Sequence, residues 1–328
     1  MKIYLISGIS GYIGKQLAEA VYKDADLIIG TTRNEDRTSS LLINIDIMKK
    51  ISLVTCDFAK RGAFEAIDEA VNKAKGNDCE LYVLHCASET ISKRMIESSV
   101  EVLDGIIKGT QCMLEIARKY AARSFVYLSS MEVYGRVDDI GRTRVETELG
   151  DINLSSLRSC YPLGKKISEH YCHIYCSQYG VPTKIARLAQ TFGKGVNPSD
   201  NRVFMQFARA ARDHEDIILR TAGKSLGNYV AVDDAVRGIL LILDEGEAGE
   251  CYNIVNEANT MTIFEMANLV KDEIASGSIS VRVELEDSRN TGYAPDTGLR
   301  MSGEKIRKLG WQPTKSLKDM YEDLMGEI

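Results

Sequence analysis

Short apolar runs alternate with stretches of helical periodicity through the first half of the chain. The runs KIYLIS, DLIIGTT, ISLVTC, LYVLHC and SFVYLSS are rich in β-branched and aromatic residues, as buried strands are. Helical patterns lie between them, one beginning at Ile13 and others covering residues 63–75 and 100–120. Strands that alternate with helices in this way predict an α/β fold with a doubly wound parallel sheet, covered by helices on both faces.

The alternation becomes less regular after Tyr161. A helical pattern continues to Tyr179, the strand-like run TKIARLAQTFG follows, and an amphipathic helix is predicted over residues 203–213. The run NYVAVDDAVRGILLIL predicts a short strand that leads into a helix, and no regular alternation continues beyond it. We therefore predict two regions. The larger comprises residues 1–185, to which 215–245 return, and the smaller comprises 186–214 and 246–328.

The composition narrows the classes of function. The 328 residues carry a formal net charge of −6, with Lys and Arg scattered along the chain, which argues against a nucleic-acid partner. No apolar run approaches the roughly 20 residues of a membrane span, and MKIYLIS leads into glycines instead of a signal-peptide core, so we expect no membrane association and a cytoplasmic location. The eight cysteines form no CxxC pair and no Cys/His cluster at the spacing of metal ligands, which predicts reduced thiols and no metal site.

A glycine-rich turn follows the first predicted strand. The segment SGISGYIG places Gly8, Gly11 and Gly14 at this turn, with Tyr12 and Ile13 between the last two glycines. Glycine lets the backbone turn tightly and approach a pyrophosphate, whose charge then lies at the N-terminus of the following helix. The larger region is therefore predicted to be a Rossmann-like dinucleotide-binding domain, and the smaller C-terminal region to bind the substrate.

The end of the second predicted strand bears on the choice of dinucleotide. NAD sites commonly offer an Asp or Glu there to the ribose hydroxyls, whereas this chain has Thr32 followed by Arg33. A guanidinium suits a ribose 2′-phosphate, which a carboxylate would repel, so NADP is the predicted cofactor. NAD is the alternative, because Glu35 and Asp36 are close enough along the chain to reach the ribose.

The segment YPLGK carries candidate acid–base chemistry. Tyr161 and Lys165 are four residues apart and therefore share one face of a helix. An ammonium ion beside a phenol stabilises the phenolate and lowers a pKa that is about 10 in isolation, which turns tyrosine into a usable base. Ser130 ends the predicted strand SFVYLSS and is placed to hydrogen-bond the same substrate hydroxyl.

Together these segments resemble the extended short-chain dehydrogenase/reductase family, specifically its nucleotide-sugar epimerases and dehydratases. The resemblance extends nearly end to end, through SGISGYIG, HCAS, GTQCMLEIA, VYLSSMEVYG, YPLGK, RLAQTFG, VAVDDAVRGILL and LGWQP. It implies that Asp57 holds the adenine amino group with Phe58 beside it, and that Ala87 and Ser88 also contact the cofactor. Relatives often dimerise through the helices that contain GTQCMLEIA and YPLGK, so we expect a homodimer.

The resemblance also implies a catalytic cycle on a nucleotide sugar. Tyr161 accepts the proton of the sugar 4-hydroxyl while a hydride leaves C4, Lys165 tunes Tyr161 and binds the nicotinamide ribose, and Ser130 orients the hydroxyl. The 4-keto group then makes the hydrogen at C5 more acidic, so that a carboxylate can remove it. Glu132 is the predicted C5 base, because it lies two residues beyond Ser130 and on the same strand face if the strand continues that far.

Glu132 and its neighbour Met131 favour different activities within the family. The 4,6-dehydratases and uronate decarboxylases resemble this chain in having Glu at position 132, whereas relatives that only invert C4 tend to have a non-acidic residue. Many dehydratases place an Asp at the position of Met131 to protonate the leaving hydroxyl, which a thioether cannot do. The pair therefore favours chemistry at C5 but argues against a standard 4,6-dehydratase.

Three further positions depart from the family pattern. Ile106 replaces an Asn used for proton relay, Gln190 replaces an Asn that contacts substrate, and Gly227 replaces an arginine that grips the diphosphate. A nucleotide-sugar site needs cations or N–H donors for that diphosphate. The predicted substrate-binding residues are Ser130, Gln190, Asn201, Arg202 and Arg300, with Arg220 as a further substitute for the missing arginine.

The leading hypothesis is an NAD(P)-dependent epimerase or dehydratase that acts on a nucleotide sugar through a 4-keto intermediate and recycles its coenzyme. Two alternatives share the fold: a nucleotide-sugar uronate decarboxylase, and an NADP-dependent carbonyl reductase, suggested by Arg33, that consumes its coenzyme. A nucleotide-sensing binding protein is the alternative from another class. The intact Ser130, Tyr161 and Lys165 argue against it, because a sensor does not need the catalytic pair.

Overall fold

The chain divides into two compact units. The computed structural model describes residues 1–36, 38, 45–76, 79–137, 139, 141–285 and 298–328. The first unit consists of residues 1–133, 152–187 and 236–252, and the second of residues 134–151, 188–235 and 253–328.

The first unit is built on a seven-stranded sheet. Its strands are β1 Lys2–Ser7, β2 Leu27–Thr32, β3 Ile51–Thr55, β4 Glu80–His85, β5 Ser124–Ser130, β7 Thr183–Leu188 and β11 Cys251–Ile254. They follow the order β3-β2-β1-β4-β5-β7-β11, and the four pairs from β3 to β5 are parallel. The direction of winding reverses between β1 and β4, which is where sheets of this kind bind dinucleotides. The predicted α/β class with a doubly wound parallel sheet is confirmed.

Helices pack against this sheet and complete its core. They are α1 Tyr12–Val21, α2 Ile45–Met48, α3 Ala63–Ala74, α4 Ser92–Glu97, α5 Ser99–Lys119 and α6 Cys160–Tyr179. The apolar stripes of α3, α5 and α6 meet the strands in one buried cluster that includes Val71, Leu114, Phe125 and Cys172. Helix α6 ends at Gly180, whose φ of 66° is the left-handed conformation that glycine adopts without strain.

A buried ion pair fixes α6 on the sheet. Arg187 of β7 donates to both carboxylate oxygens of Glu169, at 2.9 and 2.7 Å, and Ser129 of β5 donates to the same carboxylate at 2.5 Å. The two charged side chains are only 4% and 5% exposed. Glu169 lies one helical turn after Lys165 and two turns after Tyr161. The pair therefore sets the rotation of the helix that carries both of these side chains.

The second unit contains a smaller sheet and two short ladders. In the sheet, β10 Leu226–Ala231 pairs in parallel with β8 Gln190–Phe192 and antiparallel with β12 Asn256–Thr262. One ladder joins β9 Ile217–Leu219 to β13 Val281–Val283, and the other joins β6 Thr143–Arg144 to β14 Arg300–Met301. The helices of this unit are α7 Val203–Asp213, α9 Ile263–Leu269, α10 Glu304–Arg307 and α11 Leu317–Met325, while α8 Val232–Glu245 begins in it and continues into the first unit.

The units differ from the predicted regions in four places. Residues 134–151 and 215–235 lie in the second unit, and residues 186–187 and 246–252 lie in the first. Strand pairing is the reason: β6, β9 and β10 pair with strands of the second unit, whereas β11 extends the seven-stranded sheet. A strand that leads into a helix, as β10 leads into α8, has the same sequence pattern in either sheet, so the periodicity alone did not distinguish them.

Candidate active site

A glycine-rich turn, residues 8–11, connects β1 to α1. Gly8 has a φ of 67°, and a Cβ added to it would lie 2.8 Å from the Cα of Ala87. A Cβ added to Gly14 would overlap the carbonyl oxygen of Gly8. Gly11 precedes α1 and supplies no side-chain cap, so the first N–H groups of the helix keep their capacity to bind an anion. Conformation and space thus require glycine at positions 8 and 14, and Gly11 leaves the helix end open.

A cavity of about 490 Å³ opens beside this turn. Its volume lies within the range of roughly 300–1,000 Å³ found for small-molecule sites. The structure brings seven of the predicted cofactor residues together in its lining, namely Gly8, Gly11, Arg33, Asp57, Phe58, Ala87 and Ser88. Tyr12, Ile13 and Gly14 form the first turn of α1. The cavity therefore lies at the ends of β1–β4, where the doubly wound sheet changes direction.

Charged side chains line one part of the cavity. Arg33 is 3.8 Å from the carboxylate of Glu89, which is also paired with Arg94 at 3.0 Å. Lys60 lies 3.9 Å from Asp57. All five residues belong to the cavity lining. The guanidinium of Arg33 is therefore present where the sequence predicts it, but it shares a carboxylate that sequence reasoning did not identify.

Tyr161 and Lys165 lie on the first two turns of α6. Both are buried, with 7% and 3% of their surfaces exposed. The Lys165 ammonium donates to the carbonyl oxygen of Leu128 in β5 at 2.7 Å and lies 5.8 Å from the centre of the Tyr161 ring. Burial lowers the pKa of Lys165 to about 8. Ser130 ends β5, the same strand to which Lys165 is hydrogen-bonded.

An apolar cluster surrounds Tyr161 and includes position 106, where the resemblance implies a polar relay residue. Ile106 is buried with Met95, Val102, Cys160 and Tyr161 in one cluster. A Cβ added to Gly164 would lie 3.2 Å from a methyl group of Ile106, so the glycine lets α6 approach α5 here. The substitution noted at position 106 is thus accommodated by apolar packing against Tyr161.

Glu132 does not continue the strand. Strand β5 ends at Ser130, and Met131–Tyr134 form a 3₁₀ helix, so the expectation that Glu132 lies on the same strand face as Ser130 is wrong. The N–H of Glu132 donates to the Ser130 hydroxyl at 3.2 Å, which turns the chain at this point. Arg158 donates to the two Glu132 carboxylate oxygens at 2.7 and 2.8 Å. Glu132 thus stays close to Ser130, in a bidentate ion pair.

Arg158 brings a cation next to the predicted catalytic residues. It lies in the short 3₁₀ helix Leu157–Ser159, directly before α6 and three residues before Tyr161. Its hydrogen bonds to Glu132 raise its pKa. Neither partner is fully buried, since 37% of the Arg158 side chain and 29% of the Glu132 side chain remain exposed. The pair is thus accessible to a ligand.

The remaining predicted substrate residues lie in the second unit. Gln190 begins β8, Arg300 begins β14, and Asn201 is exposed before α7. Arg202 is paired with Asp200, with contacts of 2.7 to 3.1 Å, and its guanidinium covers the ring of Phe204. Arg220 is paired with Glu284 at 3.0 Å. Arg202 and Arg220, two of the three candidate substitutes for the missing arginine, are thus already paired with carboxylates.

The structure explains why position 227 is glycine. A Cβ added to Gly227 would overlap the hydroxyl and ring of Tyr229. Tyr229 is completely buried, and its hydroxyl has no hydrogen-bond partner among the described residues. An arginine side chain therefore has no room at this position.

Sequence reasoning missed Glu89, Arg158 and the buried Glu169–Arg187 pair. Arg158 and Glu132 are 26 residues apart, and Arg187 and Glu169 are 18 apart, so neither pair follows a helical or strand period. The sequence nevertheless contains signals for two of these residues. Glu89 directly follows the segment HCAS, and Arg187 is the first residue of RLAQTFG. A charged residue inside or beside an apolar motif is a reason to expect a buried partner.

Comparison with known proteins agrees with this fold and these motifs. UDP-glucuronic acid decarboxylase 6 of Arabidopsis thaliana is 28% identical over 240 residues, covering 73% of this chain and 66% of that protein. UDP-glucuronic acid decarboxylase 2 of the same plant is 26% identical, covering 96% and 65%. The match thus spans slightly less than two thirds of the length of each of these relatives.

The fold is shared with a solved UDP-glucose 4-epimerase. The Thermotoga maritima enzyme, determined with UDP-glucose, superposes with a TM-score of 0.81 at 20% identity, covering 99% of this chain and 98% of that one.

Across the described residues, no helix combines the length and apolar character needed to cross a membrane. Residues 4–256 match a family defined by sequence, and they include the glycine turn, Ser130, Tyr161 and Lys165. In agreement with its motifs, the chain belongs to the NAD dependent epimerase/dehydratase family.

Proposed function

We propose that this protein uses NAD(P) to modify a nucleotide sugar through a 4-keto intermediate, as an epimerase or dehydratase does. The observation that carries the proposal is the buried pair of Tyr161 and Lys165 on α6, with Lys165 hydrogen-bonded to Leu128, two residues before Ser130 in β5. The solved relative with this fold was determined with UDP-glucose, which supports a nucleotide sugar as substrate.

The cavity of the first unit fits a dinucleotide. Any side chain at Gly8 or Gly14 would fill the turn, and the uncapped start of α1 offers N–H groups to a pyrophosphate. Asp57 and Phe58 are proposed to hold the adenine, and Ala87 and Ser88 to line the path of the coenzyme. The bound coenzyme would supply a hydride acceptor at C4 and later return the hydride. NADP is the proposed form because of Arg33, with NAD as the alternative.

Tyr161, Lys165 and Ser130 are proposed to handle the proton at the sugar 4-hydroxyl. Ser130 accepts or donates a hydrogen bond to that hydroxyl, and Tyr161 takes its proton. The Lys165 ammonium stabilises the resulting phenolate, a role that needs the protonated amine. Because the pKa of Lys165 is lowered to about 8, turnover is expected to fall as the pH rises through 8. The apolar contact of Ile106 excludes water from one side of Tyr161.

A specific observation favours decarboxylation of a uronate as a second candidate. Glu132 and Arg158 form a carboxylate–guanidinium pair that remains accessible, next to Ser130. A sugar with a carboxylate at C5 can bind Arg158 in the same bidentate geometry and leave Glu132 unpaired. Loss of carbon dioxide from a 4-keto uronate needs no acid for a leaving hydroxyl, which agrees with Met131. The two relatives compared above are both UDP-glucuronic acid decarboxylases.

We also propose that two copies of the chain associate through α5 and α6. Val100 on α5 is 71% exposed and Ile167 on α6 is 41% exposed, which supports an apolar contact between these helices and a second copy. Sedimentation velocity would test this, with a dimer expected for the wild type and a monomer for Ile167→Asp.

The decisive experiment compares Tyr161→Phe with Tyr171→Phe on the same helix. Purified proteins are incubated with NADP or NAD and a panel of nucleotide hexoses and nucleotide uronates, and products are identified by mass spectrometry. Tyr161→Phe should lose at least about 10³-fold in turnover and still bind coenzyme, since only the proton acceptor is removed. Tyr171, whose hydroxyl accepts from Gln111, is the matched control and should keep its activity. Equal activity of the two variants would contradict the proposal.

A further inference from the structure

Glu89 lies where it can affect whether the cavity prefers NAD or NADP. Its carboxylate accepts N–H hydrogen bonds from Thr90 at 3.1 Å and Ile91 at 3.2 Å and is paired with Arg94. The side chain is only 11% exposed, whereas Arg33 is 65% exposed. The carboxylate is therefore held by partners of its own, and Arg33 is the exposed member of the Arg33–Glu89 pair.

The contact between Arg33 and Glu89 affects any anion that binds Arg33. The Arg33 guanidinium is 3.8 Å from Glu89, so an anion on the same guanidinium lies within about 8 Å of this negative charge, which is no more than about one Debye length at physiological salt. A ribose 2′-phosphate would be attracted by Arg33 and repelled by Glu89. A ribose without that phosphate carries no charge for Glu89 to repel.

We propose that Glu89 is a specificity-determining residue for the coenzyme: by sharing the Arg33 guanidinium, it weakens the preference for a 2′-phosphate, so that the cavity accepts NAD as well as NADP. Arg94 is the positioning residue, since its pair with Glu89 holds the carboxylate against Arg33. Arg33, Glu89 and Arg94 together carry a net charge of +1, and the two arginines alone carry +2. This inference rests on the proposed dinucleotide function of the cavity.

The test measures the dissociation constants of NAD and NADP by calorimetry for the wild type, Glu89→Gln and Glu101→Gln. Glu101 lines the same cavity on α5 but is outside the Arg33–Glu89–Arg94 chain, so its variant removes an equal charge as a matched control. We expect Glu89→Gln to tighten NADP about tenfold and to change NAD less than about twofold. Glu101→Gln should leave the ratio of the two constants unchanged.

Arg33→Gln supplies an independent readout. Alone it should weaken NADP more than NAD, and in its background the gain from Glu89→Gln should shrink, because the shared guanidinium is gone. If Glu89→Gln does not fold, the Arg33→Gln result still decides, since an equal effect on both coenzymes would overturn the inference.

The outcomes separate the inference from the proposed function. An unchanged NAD/NADP ratio in Glu89→Gln, or an equal shift in Glu101→Gln, overturns the role of Glu89 while dinucleotide binding stands. If the wild type binds neither dinucleotide, the proposed function and this inference fall together.

Discussion

Tyr229 determines what position 227 can contribute to the second unit. Its hydroxyl occupies the space where a side chain on Gly227 would begin, and this hydroxyl is buried without a partner among the described residues. Burial also raises the pKa of Tyr229, so the phenol is neutral and cannot repel an anion. Position 227 therefore contributes neither a side chain nor a charge, and under the proposed function a substrate diphosphate is held by other residues.

We predict that Gly227→Ala destabilises the protein by about 1–3 kcal/mol, because the added methyl group meets the Tyr229 ring. Tyr229→Phe alone should be neutral or slightly stabilising, since it removes a hydroxyl that forms no hydrogen bond with described residues. In the double variant part of the loss should be recovered. Urea unfolding measures all three.

The control for this prediction is Gly105→Ala on α5, where an added Cβ would meet nothing within 4 Å. Alanine should stabilise this helix by up to about 1 kcal/mol. If Gly227→Ala were as harmless as Gly105→Ala, the steric account of position 227 would be incorrect.

At the scale of elements, one chain of buried side chains joins β1, β4, α5 and α6. The Ser7 hydroxyl accepts the N–H groups of Cys86 and Ala87 at 3.0 Å, so its own proton goes to Nδ1 of His85 at 2.6 Å. Nε2 of His85 then carries the ring proton and donates to Thr110 at 3.2 Å. Thr110 donates in turn to Ser168 at 2.9 Å. The chain requires neutral His85.

This chain predicts a loss of stability in acid. Burial lowers the pKa of His85 to about 3 from the 6.5 of an exposed imidazole, so below pH 6.5 the unfolded state binds a proton that the folded state rejects. The stabilising contribution is complete above pH 6.5 and is lost progressively as the pH falls towards 3. Between pH 7 and pH 5 His85 should cost about 2 kcal/mol in the free energy of unfolding.

Urea unfolding at both pH values checks this, with His85→Gln as the test variant because glutamine does not titrate. The variant should be less stable at pH 7 but lose less stability on acidification. His170→Gln, on the exposed face of α6, is the control and should follow the wild type. Parallel pH dependence in all three proteins would exclude His85 as the cause.

The buried pair of α6 and β7 leads to a second prediction at this scale. Glu169→Gln leaves Arg187 buried with an unbalanced charge, which should cost about 3–5 kcal/mol. Asp104→Asn breaks an exposed pair with Lys108 on α5 and should cost less than about 1 kcal/mol. Chemical denaturation distinguishes the two, and similar losses would mean that the burial of the Glu169–Arg187 pair has no energetic weight.

The elements themselves were largely predictable from the sequence. Predicted strands and helices of the first unit agree with the structure, including the starts of α1 and α6 within one residue, because local periodicity and the glycine turn specify them. The neighbourhood of Glu132 was not predictable in the same way. Whether the chain continues as a strand after Ser130 depends on a side chain-to-backbone hydrogen bond and on Arg158, which is distant in sequence.

At the scale of the whole chain, the family motifs and the departures from them are unevenly distributed. The first unit contains the glycine turn, the cavity and the Ser130–Tyr161–Lys165 group. The second unit contains Gln190, Gly227 and the carboxylate-paired Arg202. Backbone geometry constrains a dinucleotide site tightly, so sequence motifs predict it well. Substrate contacts depend on loops and individual side chains that follow no pattern. The sequence therefore predicts the type of reaction but does not identify the sugar.

This distribution makes a prediction about the complete reaction. If Tyr161 and Lys165 serve a transient oxidation, turnover of a nucleotide sugar should leave the total amounts of oxidised and reduced coenzyme unchanged, whereas a carbonyl reductase would consume reduced coenzyme mole for mole. In heavy water, chemistry at C5 should place solvent deuterium in the product. Glu132→Gln should suppress that exchange about 10²-fold or more but still permit oxidation at C4, so that reduced coenzyme accumulates on the variant. Nicotinamide absorbance and mass spectrometry follow both quantities. Stoichiometric consumption of coenzyme would favour the reductase, and a C4-inverted product without deuterium would remove Glu132 from the mechanism.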